Sequence, residues 1–254
     1  MRYRLAASLY SGVELRSRAD ALRAPLTAAF GGGVATIRRG DSLGKASVIN
    51  AVVFDMDGVL CRYRIERRLA LLASWSGQSP DAIHAAIWLS GFEDEAERGV
   101  VSADEYLMGF GERMCYPLSA AQWVEARRAA IEPDLAVLSL ARQLSTDHPV
   151  GMFTNNPLLL KRHIAEVFPA VPDIFGTRAV FSAELGRSKP DPEAFRRLAA
   201  RLGLAPAEIL YFDDDVTYVA GAREAGLSAH RVGEAADVRT GLAIHQLERW
   251  SRGG

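Results

Sequence analysis

Ser47-Val48-Ile49-Asn50-Ala51-Val52-Val53-Phe54-Asp55-Met56-Asp57-Gly58 is the stretch on which the fold turns. Val48, Ile49, Ala51, Val52, Val53 and Phe54 make a nearly continuous apolar run, the pattern of a strand buried on both faces of a parallel sheet. The run stops at two acids, so Asp55 and Asp57 fall at the strand's C-terminal end. Carboxylates spaced i, i+2 on a strand would point to opposite faces, but a turn starting at Gly58 can bring both toward one point.

Three later segments repeat this design. His148 to Phe153 runs into Thr154-Asn155-Asn156, Ala179 to Phe181 into Ser182, and Ile209 to Phe212 into Asp213-Asp214-Asp215. Helical patterns lie between them; in one, Asp191 is the expected N-cap and Pro192 the first helical residue. Alternating strand and helix predicts an α/β fold with a doubly wound, Rossmann-like parallel sheet. Ligands of such sheets bind at the C-terminal ends of the strands, where all these polar clusters would converge.

From 63 to 133 the strand signal gives way to helix starts. Ser79 precedes Pro80, and Ser102 with Glu105 and Ser119 with Gln122 are capping boxes. This predicts about four inserted helices, with Leu69, Leu72, Trp75, Ile83, Ile87, Trp88, Tyr106, Leu107 and Trp123 as their small core. Glu93, Asp94, Glu95 and Glu97 read as a solvated face. Arg62, Tyr63 and Arg64 sit at the entry to the insertion, within reach of a substrate. The expected organisation is an Arg-rich, disordered extension over 1–45, an α/β core over 46–62 and 134–254, and the helical insertion over 63–133.

The chain has 254 residues, 49% of them hydrophobic, and a formal net charge of −1. That balance excludes a polyelectrolyte and gives no reason to expect a nucleic-acid partner. Cys61 and Cys115 form no paired motif, which argues against a disulfide scaffold or a structural zinc site and suggests a cytoplasmic location. No apolar run reaches the roughly 20 residues that cross a bilayer, so no membrane association is expected.

Asp55, Asp57, Asp213, Asp214 and Asp215 would crowd one site with carboxylates, whose repulsion calls for a cation. An all-oxygen set without His or Cys favours a hard ion, and Mg2+ suits a site that also receives phosphate. Taken alone, Asp-Met-Asp-Gly could be a simple turn, and the triple Asp a helix N-terminus. The five histidines, His84, His148, His163, His230 and His245, show no ligand spacing.

Phe54-Asp55-Met56-Asp57-Gly58-Val59-Leu60, Met152-Phe153-Thr154-Asn155-Asn156, Ser188-Lys189-Pro190-Asp191-Pro192-Glu193-Ala194-Phe195 and Tyr211-Phe212-Asp213-Asp214 resemble, in order and spacing, the four motifs of the haloacid dehalogenase superfamily. The resemblance runs from about Val48 to Val232. The inserted helices look like the C1 cap of its subfamily I, and the text is similar to bacterial sugar-phosphate phosphatases and to the phosphatase domain of some epoxide hydrolases. The resemblance implies that Asp55 is a nucleophile phosphorylated in turnover and that Asp57 is the acid and then the base. It assigns Thr154, through its hydroxyl, and the Asn155 amide to the phosphoryl oxygens. Lys189 would neutralise charge on nucleophile and phosphoryl group. Mg2+ would be held by Asp55, the Asp57 carbonyl and Asp214, with Asp213 orienting the loop. Many relatives carry Asp or Asn where this chain has Tyr218, and Asp215 is the candidate to compensate. Of the three lysines, Lys45 precedes the core and Lys161 reads as a surface cation, which leaves Lys189 for the site.

The implied activity is hydrolysis of a small phosphate monoester, such as a sugar phosphate, with a small phosphorylated metabolite as partner. A phosphomutase would use the same residues, and a non-catalytic binding protein could share the fold. Dehalogenase chemistry has no use for Asp57, and phosphonatase chemistry needs a lysine that the insertion lacks.

Overall fold

The computed structural model describes residues 48–247. The extension expected over 1–45, and Lys45 with it, lie outside the described residues.

Five parallel strands form the sheet: β1 (Ala51–Phe54), β4 (Val150–Thr154), β5 (Ala179–Phe181), β6 (Ile209–Asp213) and β7 (Ser228–Arg231), in the spatial order β5-β4-β1-β6-β7. β1 is central, paired with β4 through Val52↔Val150 and with β6 through Val52↔Leu210. The chain therefore winds outward through β4 and β5, then crosses to the other side of β1 for β6 and β7. Asp55, the first residue beyond β1, and Thr154 and Asp213, the last of β4 and β6, lie at the ends of three adjacent strands around that reversal, where an open α/β sheet binds its ligands.

Apolar runs without alternation make sense because both faces are covered. Val52, Phe54, Met152, Leu210 and Phe212 enter one core, whereas Val53, Phe153, Ile209 and Tyr211 enter the other. The second core is closed by the helices Pro192–Leu202 and Val216–Glu224, through Phe195, Leu198, Val219 and Ala222. Asp191 accepts from the Glu193 amide at 2.9 Å as N-cap of the first of these, with Pro192 following.

β1 begins at Ala51 rather than Ser47, since Val48 is exposed. Two features escape the apolar-run signal. β7 reads Ser-Ala-His-Arg, and a two-stranded antiparallel hairpin joins β2 (Cys61–Tyr63) to β3 (Ile131–Pro133). Between these hairpin strands lie the inserted helices α1 (Ile65–Ser76), α2 (Pro80–His84), α3 (Phe92–Glu97), α4 (Ala103–Arg113) and α5 (Ala120–Ala129), with a π-helical turn at Ala85–Leu89 after α2. Both expected capping boxes are formed, at Ser102/Glu105 and Ser119/Gln122. Arg64 donates twice to Glu132, at 3.0 and 3.2 Å, which ties the two ends of the insertion together. The acidic face is only half solvated. Asp94 and Glu95 are exposed, but Glu93 and Glu97 are buried, and Glu93 accepts from the Tyr106 hydroxyl at 2.5 Å. Among the described residues, no helix is long and apolar enough to cross a membrane.

Gly221 lets the helix Val216–Glu224 approach the loop that carries Lys189. A Cβ there would collide with the Pro190 carbonyl and crowd Phe195. Gly221→Ala is expected to destabilise the protein by about 1–3 kcal/mol, read as a lower midpoint in urea denaturation; an unchanged midpoint would show that the loop yields freely.

Candidate active site

Asp55 is the first residue beyond β1, and its amide still donates to the Phe212 carbonyl of β6 at 2.8 Å. The backbone then turns sharply, with Leu60 and Cys61 amides donating to the Met56 carbonyl and the Gly58 amide to the Cys61 carbonyl. Gly58 sits at φ +99°, a conformation that suits only a residue without Cβ. A Cβ there would also overlap the Asp214 carboxylate, so this glycine both makes the turn and admits an acid from the β6 end.

Lys189 is the hub. Its ammonium, fully buried, lies 2.8 Å from Asp55 Oδ1 and 2.8 Å from Asp213 Oδ2, and donates to the Tyr211 hydroxyl at 2.9 Å. The Tyr218 ring lies 4.9 Å from the same nitrogen and offers a π face to the lysine. Asp213 Oδ1 accepts from the Asp215 amide at 2.9 Å and so shapes the loop after β6. Asp215 caps the next helix, its Oδ1 accepting from the Thr217 amide at 2.7 Å.

The side-chain amide of Asn155 spans the Lys189 peptide, donating to its carbonyl at 2.9 Å and accepting from its N–H at 2.9 Å. That places Asn155 as the clamp of the Lys189 loop. Thr154, buried at the end of β4, accepts from Asn156 Nδ2 at 2.7 Å.

Asp57 has partners the sequence analysis did not identify. Arg127 of α5 donates to both its oxygens, at 2.8 and 3.2 Å, and Asn156 donates to Oδ2 at 3.2 Å. The bond between Arg127 and Asp57 links the insertion to the α/β core across 70 residues. Lys161 pairs with Glu184 at 2.5 Å on the surface, away from this network.

Ligating oxygens of Asp55, Asp213 and Asp214 all lie within 4.8 Å of one another. Lys189 contacts Asp55 and Asp213 with Asp214 beside them, and once all three are ionised two negative charges are in excess, which a divalent cation would cancel. The donor set is all oxygen, as a hard cation requires. Burial pushes the Asp55 carboxyl up to about 8, with Asp213 and Asp214 pushing the same way and Lys189 opposing. The residues present thus fit a divalent ion.

A family model described as haloacid dehalogenase-like hydrolase matches residues 49–226. A phosphatase of Mycobacterium tuberculosis (strain CDC 1551 / Oshkosh) is 31% identical over 219 residues, covering 76% of this chain and 92% of its own length. Hexitol phosphatase A of Escherichia coli (strain K12) is 25% identical, covering 78% and 91%. A haloacid dehalogenase family enzyme of Bacteroides thetaiotaomicron, crystallised with magnesium and inorganic phosphate, superposes with a TM-score of 0.61 at 23% identity, covering 72% of this chain and 93% of that one.

A carboxyl whose folded pKa is raised stabilises the folded state fully below its unfolded value, and that contribution is lost as pH rises through about 8. A divalent cation binds the ionised form. The gain in melting temperature on adding Mg2+ should therefore grow between about pH 6 and pH 9; a gain independent of pH would place the ion elsewhere.

Proposed function

The chain belongs to the haloacid dehalogenase-like hydrolases, and from that membership we propose a Mg2+-dependent phosphatase that hydrolyses a small phosphate monoester through an aspartyl phosphate on Asp55. The observation that carries the proposal is the Asp55–Lys189–Asp213 arrangement, with Asp57 two residues from Asp55 and held independently of it.

Asp55 is oriented for attack. One carboxylate oxygen is pinned by the Met56 amide at 2.7 Å and by Lys189 at 2.8 Å, which fixes the rotation of the other. A carboxylate oxygen attacks phosphorus, the bond to the ester oxygen breaks, and Asp57 gives that oxygen its proton. Water then attacks the phosphoryl group, Asp57 takes the proton, and Asp55 is regenerated. Lys189 balances the charge on Asp55 as it becomes an acyl phosphate, and the Thr154 hydroxyl is assigned to a phosphoryl oxygen. The Asn155 side chain acts on the phosphate indirectly, by fixing Lys189. Mg2+, held by Asp55, Asp214 and the Asp57 carbonyl, would supply positive charge to the phosphoryl oxygens. The helical insertion over 63–133 is the cap, and Arg127 carries its position to the acid. Relatives named as a hexitol phosphatase and a D-ribitol-5-phosphate phosphatase support a phosphorylated metabolite as substrate.

Phosphate release from sugar phosphates and 4-nitrophenyl phosphate, with and without Mg2+, tests this reading. Asp55→Asn should abolish turnover of every substrate. Asp57→Asn should cost about 10²–10⁴-fold on alkyl phosphates, which need their leaving oxygen protonated, and visibly less in the first step on the aryl ester. Equal losses on both ester types would remove Asp57 from the acid role.

A further inference from the structure

Three side chains of the cap are more than nine-tenths buried yet carry hydrogen-bond donors without an acceptor: Nε and Nη2 of Arg68, Nη1 of Arg127 and Nε1 of Trp123. They belong to one seam. Trp123 and Arg127 are one turn apart on α5, and Arg68 reaches over from α1 with its guanidinium carbon 5.1 Å from the Trp123 ring. Tyr63 joins the two arginines, accepting from Arg68 Nη1 at 2.9 Å through its hydroxyl and carrying Arg127 on its face at 4.2 Å. Through Arg127 Nη2 the seam begins at Asp57 itself.

Buried donors left unmatched are costly, and two buried guanidiniums on one tyrosine oppose each other. The nearby Glu93 accepts from the Tyr106 hydroxyl and places negative charge near Arg68, yet Nε and Nη2 of Arg68 stay without a hydrogen-bond partner. Trp88 and Phe110, 5.2 and 5.3 Å from the Arg68 guanidinium carbon, keep water out and so strengthen any charge pairing made there. All four unmatched groups are donors on or beside cations. A hydroxyl would bring another proton into a seam already rich in them, whereas an oxyanion accepts only.

We propose that this seam between α1 and α5 binds a second oxyanion on the alcohol portion of the substrate, a carboxylate or a second phosphate, when the cap admits it. The preferred substrates are then acidic phosphate esters rather than neutral polyol phosphates. The proposal rests on the reading of Asp55 and Asp57 as the reaction centre, from which Arg127 leads into the cap.

Two matched pairs of probes isolate the second group: 3-phosphoglycerate against glycerol 3-phosphate for a carboxylate, and fructose 1,6-bisphosphate against fructose 6-phosphate for a phosphate. Wild type should favour the acidic member of at least one pair by about tenfold or more in kcat/KM, and the pair that responds identifies the oxyanion. Arg68→Met should bring that ratio near one, mainly through KM, with Arg68→Lys keeping part of it. Because Arg68→Met removes unmatched donors, the ligand-free melting temperature should hold or rise. A fall in melting temperature, with all four substrates impaired alike, would make Arg68 a packing residue and overturn the proposal. Calorimetric binding of the same pairs to Asp55→Asn separates the two readings. If wild type hydrolyses none of them while this variant binds an acidic member more tightly, the hydrolytic reading fails and the subsite stands. Equal binding within both pairs, or no binding, overturns the subsite.

Discussion

The structure is organised around a charge imbalance at the C-terminal edge of the sheet. Asp55, Asp213 and Asp214 gather near one buried ammonium, and Asp55 and Asp213 share it directly. Carboxylates in such a place ionise only when something positive stands close by. Lys189 meets part of that need, and the rest falls to a divalent ion that the donor set fits. Much of the surrounding architecture keeps the lysine where it is. Asn155 grips its backbone on both sides, the Tyr211 hydroxyl accepts a hydrogen bond from its ammonium, and Gly221 admits the helix that packs on its loop.

The sheet was readable because its central strands are covered on both faces. Unbroken apolar runs ending in acids marked β1 and β6, and the run before Thr154 marked β4. β7 was not readable, since Ser-Ala-His-Arg at the sheet edge buries little. The hairpin of β2 and β3 was missed for another reason: each strand has only three residues, and their pairing spans the whole insertion. Acids in α3 looked solvated because four lie close together, yet helical spacing turns Glu93 and Glu97 inward beside Phe92 and Ala96.

At the site, the residues next to the strand ends were legible, and those reaching in from the cap were not. Arg127 and Arg68 each had a local sign. Arg127 falls four residues after Trp123 on the buried stripe of its helix, and Arg68 stands between Ile65 and Leu72 on the buried stripe of another. An arginine on an apolar stripe must have a partner or a purpose, but the partner of Arg127 is 70 residues away, and no spacing rule reports such a distance. Asn155 shows the converse, a residue whose motif position suggested the phosphate and whose side-chain bonds to the Lys189 backbone no motif spacing announces.

The helical insertion proposed as the cap also reaches the reaction centre. Through Arg127 it holds Asp57, the residue proposed as acid and base. The most direct test of the whole account is to quench wild-type protein with acid during turnover of a phosphate ester and locate the phosphoryl group by peptide mass spectrometry. The account predicts the mass of one phosphoryl group on the peptide containing Asp55, present with Mg2+ and missing from Asp55→Asn. Turnover at full rate with no acyl phosphate, or with the label on another residue, would contradict it.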